Sequence, residues 1–150
     1  MEPWADGALL AFSKVDRQMR ELLQGLDADA LNWTPGPETN SLWVLATHMV
    51  AAQRWYLAKA VGREFTRDRA AEFASSGADT ARLIADLDTA EAETRSALEQ
   101  LTAADLSREV EIRGPWTEGR ILFDLAEHLS EHMGHAQLTR QLLDQRNAAS

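Results

Sequence analysis

Three of the chain's four histidines fall within one short stretch, Glu127-His128-Leu129-Ser130-Glu131-His132-Met133-Gly134-His135. On a helix, side chains four apart share a face. At about 100° per residue, His132 lies roughly 40° from His128 and His135 roughly 20° to its other side. The same arc carries Ile121, Leu125, Leu129 and Leu142, so the cluster is expected to face a core. Buried imidazoles need polar partners. An i, i+4 pair can offer two ring nitrogens to one metal at about 2.0 Å. The fourth histidine, His48, sits in a stripe with Leu45, Ala52 and Trp55. If that stripe faces the same core, His48 completes a three-histidine site across two helices, which is how bundles build metal centres.

Each feature alone has a plainer reading. A lone histidine on a half-apolar face is usually a hydrogen-bonded boundary residue, and His-x-x-x-His pairs are common on surfaces. The coincidence of His48, His128 and His132 favours a metal. His135 lies about 10 Å along the axis from His128, too far for both to hold one ion. With Gln53 and Asp124, it is a candidate to orient ligands or substrate from outside the metal's own ligands. Trp55 and Trp116 are candidates to wall a pocket above the metal, packing being the alternative. There is no His-Glu-x-x-His, no Glu-x-x-His, no Gly-rich phosphate loop, no nucleophile elbow and no calcium loop.

Four helices must position these residues. The first runs from about Ala5 to Gln24 with Leu9, Leu10, Phe12, Val15, Met19, Leu22 and Leu23 as an apolar stripe, and Gly25 ends it. Residues 27–33 allow one short helical turn before Thr34-Pro35-Gly36-Pro37 breaks the chain. The second helix starts at Asn40 or Ser41, either of which can cap it, and ends near Val61-Gly62. Residues 63–78 read as a long polar connection, with Arg63, Arg67 and Arg69 interrupted by Glu64 and Asp68 as a solvated loop. A third, Ala-rich helix runs from Asp79 or Thr80 to about Gln100. A brief extended segment is possible at Val110–Trp116, and Thr117 caps a fourth helix from Glu118 to about Gln145. Four amphipathic helices of about 20 residues imply an all-α four-helix bundle, in one domain spanning 1–150. The connection between the second and third helices is long enough to cross the bundle diagonally or to run its length.

Composition excludes several classes of function. The chain has 150 residues, no cysteine, and 24 acidic against 15 basic residues, for a formal charge of −9. Thiol nucleophiles, disulfides and Cys-ligated zinc are excluded. Without a basic footprint, neither nucleic acid nor an anionic membrane is an expected partner. Met1–Gly7 contains no basic leader, and no apolar run approaches the roughly 18 residues of a membrane span, so the cytoplasm is the expected location.

Two stretches resemble a known family. Leu31-Asn-Trp-Thr-Pro-Gly-Pro-Glu-Thr-Asn-Ser-Leu-Trp-Val-Leu-Ala-Thr-His48 is similar to the lead-in and second helix of the DinB-like superfamily. Leu125-Ala-Glu-His128-Leu-Ser-Glu-His132-Met-Gly-His135-Ala-Gln-Leu-Thr-Arg140 resembles its closing helix, and is closest to the branch with mycothiol-dependent maleylpyruvate isomerase. The resemblance follows essentially the whole chain in order and spacing, but its specific content is two short motifs. It implies a four-helix bundle with a long crossover between helices 2 and 3. It also implies one divalent metal, zinc or nickel, on His48, His128 and His132, and homodimers are frequent. Some relatives place a carboxylate where His128 stands. Several transfer low-molecular-weight thiols such as mycothiol or bacillithiol to electrophiles; a set of residues that would hold such a thiol is not recognisable in the sequence.

Three neutral imidazoles leave a dication its full charge and an open position, the pattern of a catalytic site. The leading expectation is therefore a metal-dependent enzyme, a thiol S-transferase, isomerase or hydrolase. It would activate a small thiol, or water, against an electrophilic small molecule. The alternative is a non-catalytic, metal-stabilised stress-response or ligand-binding module, and a weaker third reading has the histidines merely packed.

Overall fold

The computed structural model describes residues 1–149. Helix α1 (Pro3–Leu23) begins with Pro3 in the first turn, where a missing N–H costs nothing, and Gly25 turns the chain away at φ 73°. The short α2 (Ala28–Asn32) is capped by the Asp27 carboxylate, which accepts from Ala30 N at 2.9 Å. Ser41 caps α3 (Leu42–Ala60) by accepting from Val44 N. Asp68 caps a second short helix, α4 (Arg69–Phe73), inside the crossover. Asp79 caps α5 (Thr80–Gln100). After a 3-10 turn at Asp105–Ser107, β1 (Glu109–Glu111) and β2 (Pro115–Thr117) pair as an antiparallel hairpin with Val110 opposite Trp116. Thr117 then caps α6 (Glu118–Ala148).

The four long helices form the bundle, α1 and α3 each packing on both α5 and α6. Directions follow from side-chain pairs. Arg20 near the end of α1 bonds Asp88 and Glu91 of α5, while Asp16, one turn earlier, is joined through Gln53 to Thr94 further along α5, so these helices are antiparallel. Gln53 and Arg54 of α3 meet Thr94 and Glu93 of α5, while Trp43 at the start of α3 lies against Gly77 just before α5. Helices α3 and α5 are therefore parallel, and the crossover runs the length of the bundle. Asn32 pins its far end: its side-chain amide donates to Gly77 O at 2.7 Å and accepts from Gly77 N at 3.1 Å.

The crossover is not the uniformly solvated loop its composition suggests. It contains α4, and Arg67 is packed with its side chain only 14% exposed. Because α2 and α4 cover what α5 and α6 leave open, α3 is buried on nearly every side, including its polar His48 and Gln53. One apolar cluster fills the bundle, with Phe12, Met19, Leu45, Leu57, Leu87, Leu98, Ile121, Leu125 and Leu129 among its fully buried members. Among the described residues no helix is long and apolar enough to cross a membrane.

Candidate metal centre

The antiparallel packing of α3 on α6 brings His48 against His128 and His132. Ring centroids lie 4.7 Å apart for His48–His132, 5.1 Å for His48–His128 and 4.5 Å for His128–His132. One nitrogen from each falls within 4.8 Å of the others. His48 Nε2 and His128 Nε2 are 3.1 Å apart. Two nitrogens sharing a tetrahedral zinc at 2.0–2.1 Å would lie about 3.3 Å apart. His48 is 1% exposed, and His128 and His132 are half-buried beneath the pocket they line.

The protonation of the site suits a cation. Burial, then the neighbouring histidines and Arg69, push His128 and His132 down to about 4, against a small upward pull of Glu131 on His132. His48 is also lowered, by burial outweighing its bond to Glu72. All three rings are thus neutral at pH 7 and carry free lone pairs. His132 Nδ1 is buried with no hydrogen-bond partner in the protein, a costly condition that a metal ion would relieve. Donor type, charge and spacing all fit a divalent ion held by His48, His128 and His132.

The crossover supplies what sequence reasoning missed. Glu72, 7% exposed on α4, accepts from His48 Nδ1 at 2.8 Å. Arg67 grips the same carboxylate with two bonds, Nε to Oε1 at 2.7 Å and Nη2 to Oε2 at 2.8 Å. Burial opposes ionisation of Glu72, but the bonds from Arg67 and His48 prevail and hold its pKa below the usual range. An ionised carboxylate only accepts, so His48 Nδ1 must carry the proton and Nε2 must present its lone pair inward. The 3.2 Å approach of Arg67 Nη2 to Nδ1 is then a contact between two donors that share Glu72 Oε2. This carboxylate–histidine arrangement fixes the tautomer and orientation of His48, as it would for a metal ligand.

The three histidines form the floor of a cavity of about 540 Å³, also lined by Tyr56, Arg67, Arg69, Arg113 and Glu131. Its aromatic neighbours are Tyr56, whose ring centroid is 6.1 Å from His128, and Phe73, 4.5 Å from His48. Neither tryptophan considered for this wall lines the cavity. Trp116 packs under the Arg120 guanidinium, and Trp55 stands edge-on to Tyr56.

The remaining sequence candidates lie elsewhere. Gln53 is five residues past His48, roughly 140° round the helix. It turns into the core, donating to Asp16 Oδ2 at 3.1 Å and Thr94 Oγ1 at 2.8 Å. Asp124 is partly exposed and pairs with Arg120 at 3.9 Å. His135 is exposed and lines a separate groove with Pro35, Thr39 and Leu142, although its ring centroid is 5.7 Å from that of His132.

Similar proteins agree with this fold. A conserved protein from Enterococcus faecalis superposes with a TM-score of 0.80 at 18% identity, covering 95% of this chain and 98% of its own. A DinB-like protein from Bacillus subtilis gives 0.73 at 20% identity over 92% of both chains. One from Bacillus cereus gives 0.75 at 18% identity over 91% of both. No curated protein matches significantly. Residues 9–145 match the family described as mycothiol-S-transferase, so the chain belongs to that family, within the DinB-like bundles.

Proposed function

We propose that this protein is a metal-dependent thiol transferase. It would hold one divalent ion, zinc or nickel, on His48, His128 and His132, and activate a small thiol of the mycothiol or bacillithiol type, or water, against an electrophilic small molecule. The observation that carries the reading is the convergence of three neutral nitrogen donors on the floor of an open cavity of about 540 Å³. A structural zinc site is closed by four protein ligands, whereas three leave a position for substrate. That openness favours an enzyme over a metal-stabilised module.

A divalent ion bound there would supply a Lewis acid that lowers the pKa of a thiol or water toward neutrality. The chain's own residues do the rest. Glu72 holds the proton on His48 Nδ1 and so keeps Nε2 available as a donor. Arg67 keeps Glu72 ionised and in place. Tyr56 and Phe73 shield the histidine end from bulk water, which strengthens every charge interaction within it. The reading places the protein in the cytoplasm, where small thiols are kept reduced. It also makes the protein a homodimer, supported by exposed Phe123 beside an apolar cleft between α1 and α6.

Metal analysis of tag-free protein tests the site. About one equivalent of zinc or nickel is expected, and none in the His48→Ala/His128→Ala/His132→Ala variant; equal content in both would overturn it. Conjugation of mycothiol to a panel of electrophiles tests the activity. Turnover by loaded protein and its loss on chelation are expected, and inactivity across the panel would favour the module. Light scattering should give twice the 16.7 kDa chain mass.

A further inference from the structure

The cavity above the histidines gathers positive charge on a chain whose formal charge is −9. Arg67 and Arg69 reach it from the crossover, and Arg113 from the turn of the β1–β2 hairpin. Three guanidinium groups face two carboxylates, Glu72 and Glu131, leaving one net positive charge before any metal is counted. Arg67 is committed to Glu72, but among the described residues no ion pair holds Arg69 or Arg113.

Arg69 is held against a neighbouring ring, whereas Arg113 stands exposed at the tip of the hairpin. The Arg69 guanidinium stacks on the Phe73 ring at 4.7 Å, which leaves its N–H edges open. The hairpin turn that carries Arg113 is closed by Gly114 at φ 114°. The nearby Glu111 carboxylate folds back onto Gly114 N at 2.7 Å instead of pairing with Arg113.

We infer that Arg69 and Arg113 form a receptor for the electrophile, and that this co-substrate carries a carboxylate or a comparable oxyanion. The inference rests on the thiol-transferase reading for which substrate is bound, but not for the existence of the anion site. Mycothiol carries no carboxylate of its own, so with that thiol at the histidine end the charge at the rim falls to the second substrate. Planar guanidinium forks suit planar oxyanions.

A matched pair of electrophiles tests this, 4-(chloromethyl)benzoate and its methyl ester, with mycothiol and zinc-loaded protein. In either reaction one S–C bond forms, the C–Cl bond breaks, chloride leaves with its electron pair, and buffer takes the thiol proton. Arg69→Gln/Arg113→Gln should lose about tenfold in kcat/KM for the carboxylate, through KM. The ester should change less than twofold, and the KM for mycothiol should hold. Equal losses on both electrophiles, or none, would overturn the receptor while leaving thiol transfer standing.

If wild-type protein turns over neither electrophile, thiol transfer fails and calorimetry still decides the anion site. Unreactive 4-methylbenzoate should then bind wild-type protein about tenfold tighter than the double variant, both zinc-loaded and zinc-free. Equal affinity would refute it. Unchanged zinc content in the variant excludes damage to the floor.

Discussion

Replacing Glu72 with Gln should weaken metal binding without removing a ligand. In the native protein Glu72 Oε2 accepts from both His48 Nδ1 and Arg67 Nη2, each at 2.8 Å, while Oε1 accepts from Arg67 Nε at 2.7 Å. A glutamine can keep its oxygen toward one side only. With the oxygen at the Oε2 position, the new amide N–H₂ confronts Arg67 Nε, donor against donor. With the amide reversed, it confronts His48 Nδ1–H and favours the wrong tautomer. Either way the negative charge is lost, His48 becomes a poorer donor, and the Arg67 charge stands uncompensated near the cation. Loss of such supporting partners typically costs 10–100-fold in metal affinity, or about 1.4–2.7 kcal/mol. The uncompensated guanidinium puts the expectation near the upper end.

Chelator competition at pH 7 measures it as a zinc Kd, independently of catalysis. Arg67→Gln in the Glu72→Gln background should recover part of the loss by removing the repulsion, a coupling that a double-mutant cycle isolates. A Kd within threefold of wild type for Glu72→Gln would refute the role assigned to this carboxylate.

Other consequences can be measured on stability. A Cβ on Gly77 would lie 2.2 Å from two carbons of the Trp43 indole, so Gly77→Ala should cost about 1–3 kcal/mol in urea unfolding; a neutral result would show that the crossover end can shift freely. Burial raises Asp16 to about 6, so the folded state binds the proton more tightly than the unfolded chain and stability falls as pH rises from about 4 to 6. Asp16→Asn, which keeps an acceptor for Gln53, should match wild type at pH 4 and exceed it by about 2 kcal/mol at pH 7; the three histidines titrate alike in both proteins and cancel. Zinc at about 100 times its Kd should stabilise the fold by roughly 2.7 kcal/mol, raising Tm by about 5–10 °C, and the triple His→Ala variant should show no such shift.

The bundle was readable because each long helix carries its apolar stripe at helical spacing, and three of the four start on a capping side chain, Ser41, Asp79 or Thr117. The histidine geometry was readable for the same reason: His128 and His132 are four apart on an inward arc. The crossover resisted. α4 has only five residues, too few to show a period, and interspersed charges at 63–69 resemble a solvated loop. What buries Glu72 and Arg67 is a tertiary fold-back onto α3, visible in sequence only as a cap at Asp68 and an isolated apolar Phe73. Gln53 shares α3 with His48, but five residues of helix turn it toward Asp16 and Thr94.

The separation of His48 from His128 along the chain also bears on when a metal could be acquired. During synthesis, until residue 128 is added, the growing chain holds only His48 of the three candidate ligands. Contacts between residues so distant form late, because the loop between them must close first. Glu72, which orients His48, depends on the same closed arrangement of crossover and bundle. An ion would therefore meet all three donors together only in the finished bundle. Metallation would then be the last step of maturation, and the ion acquired would be set by the metals available where folding is completed.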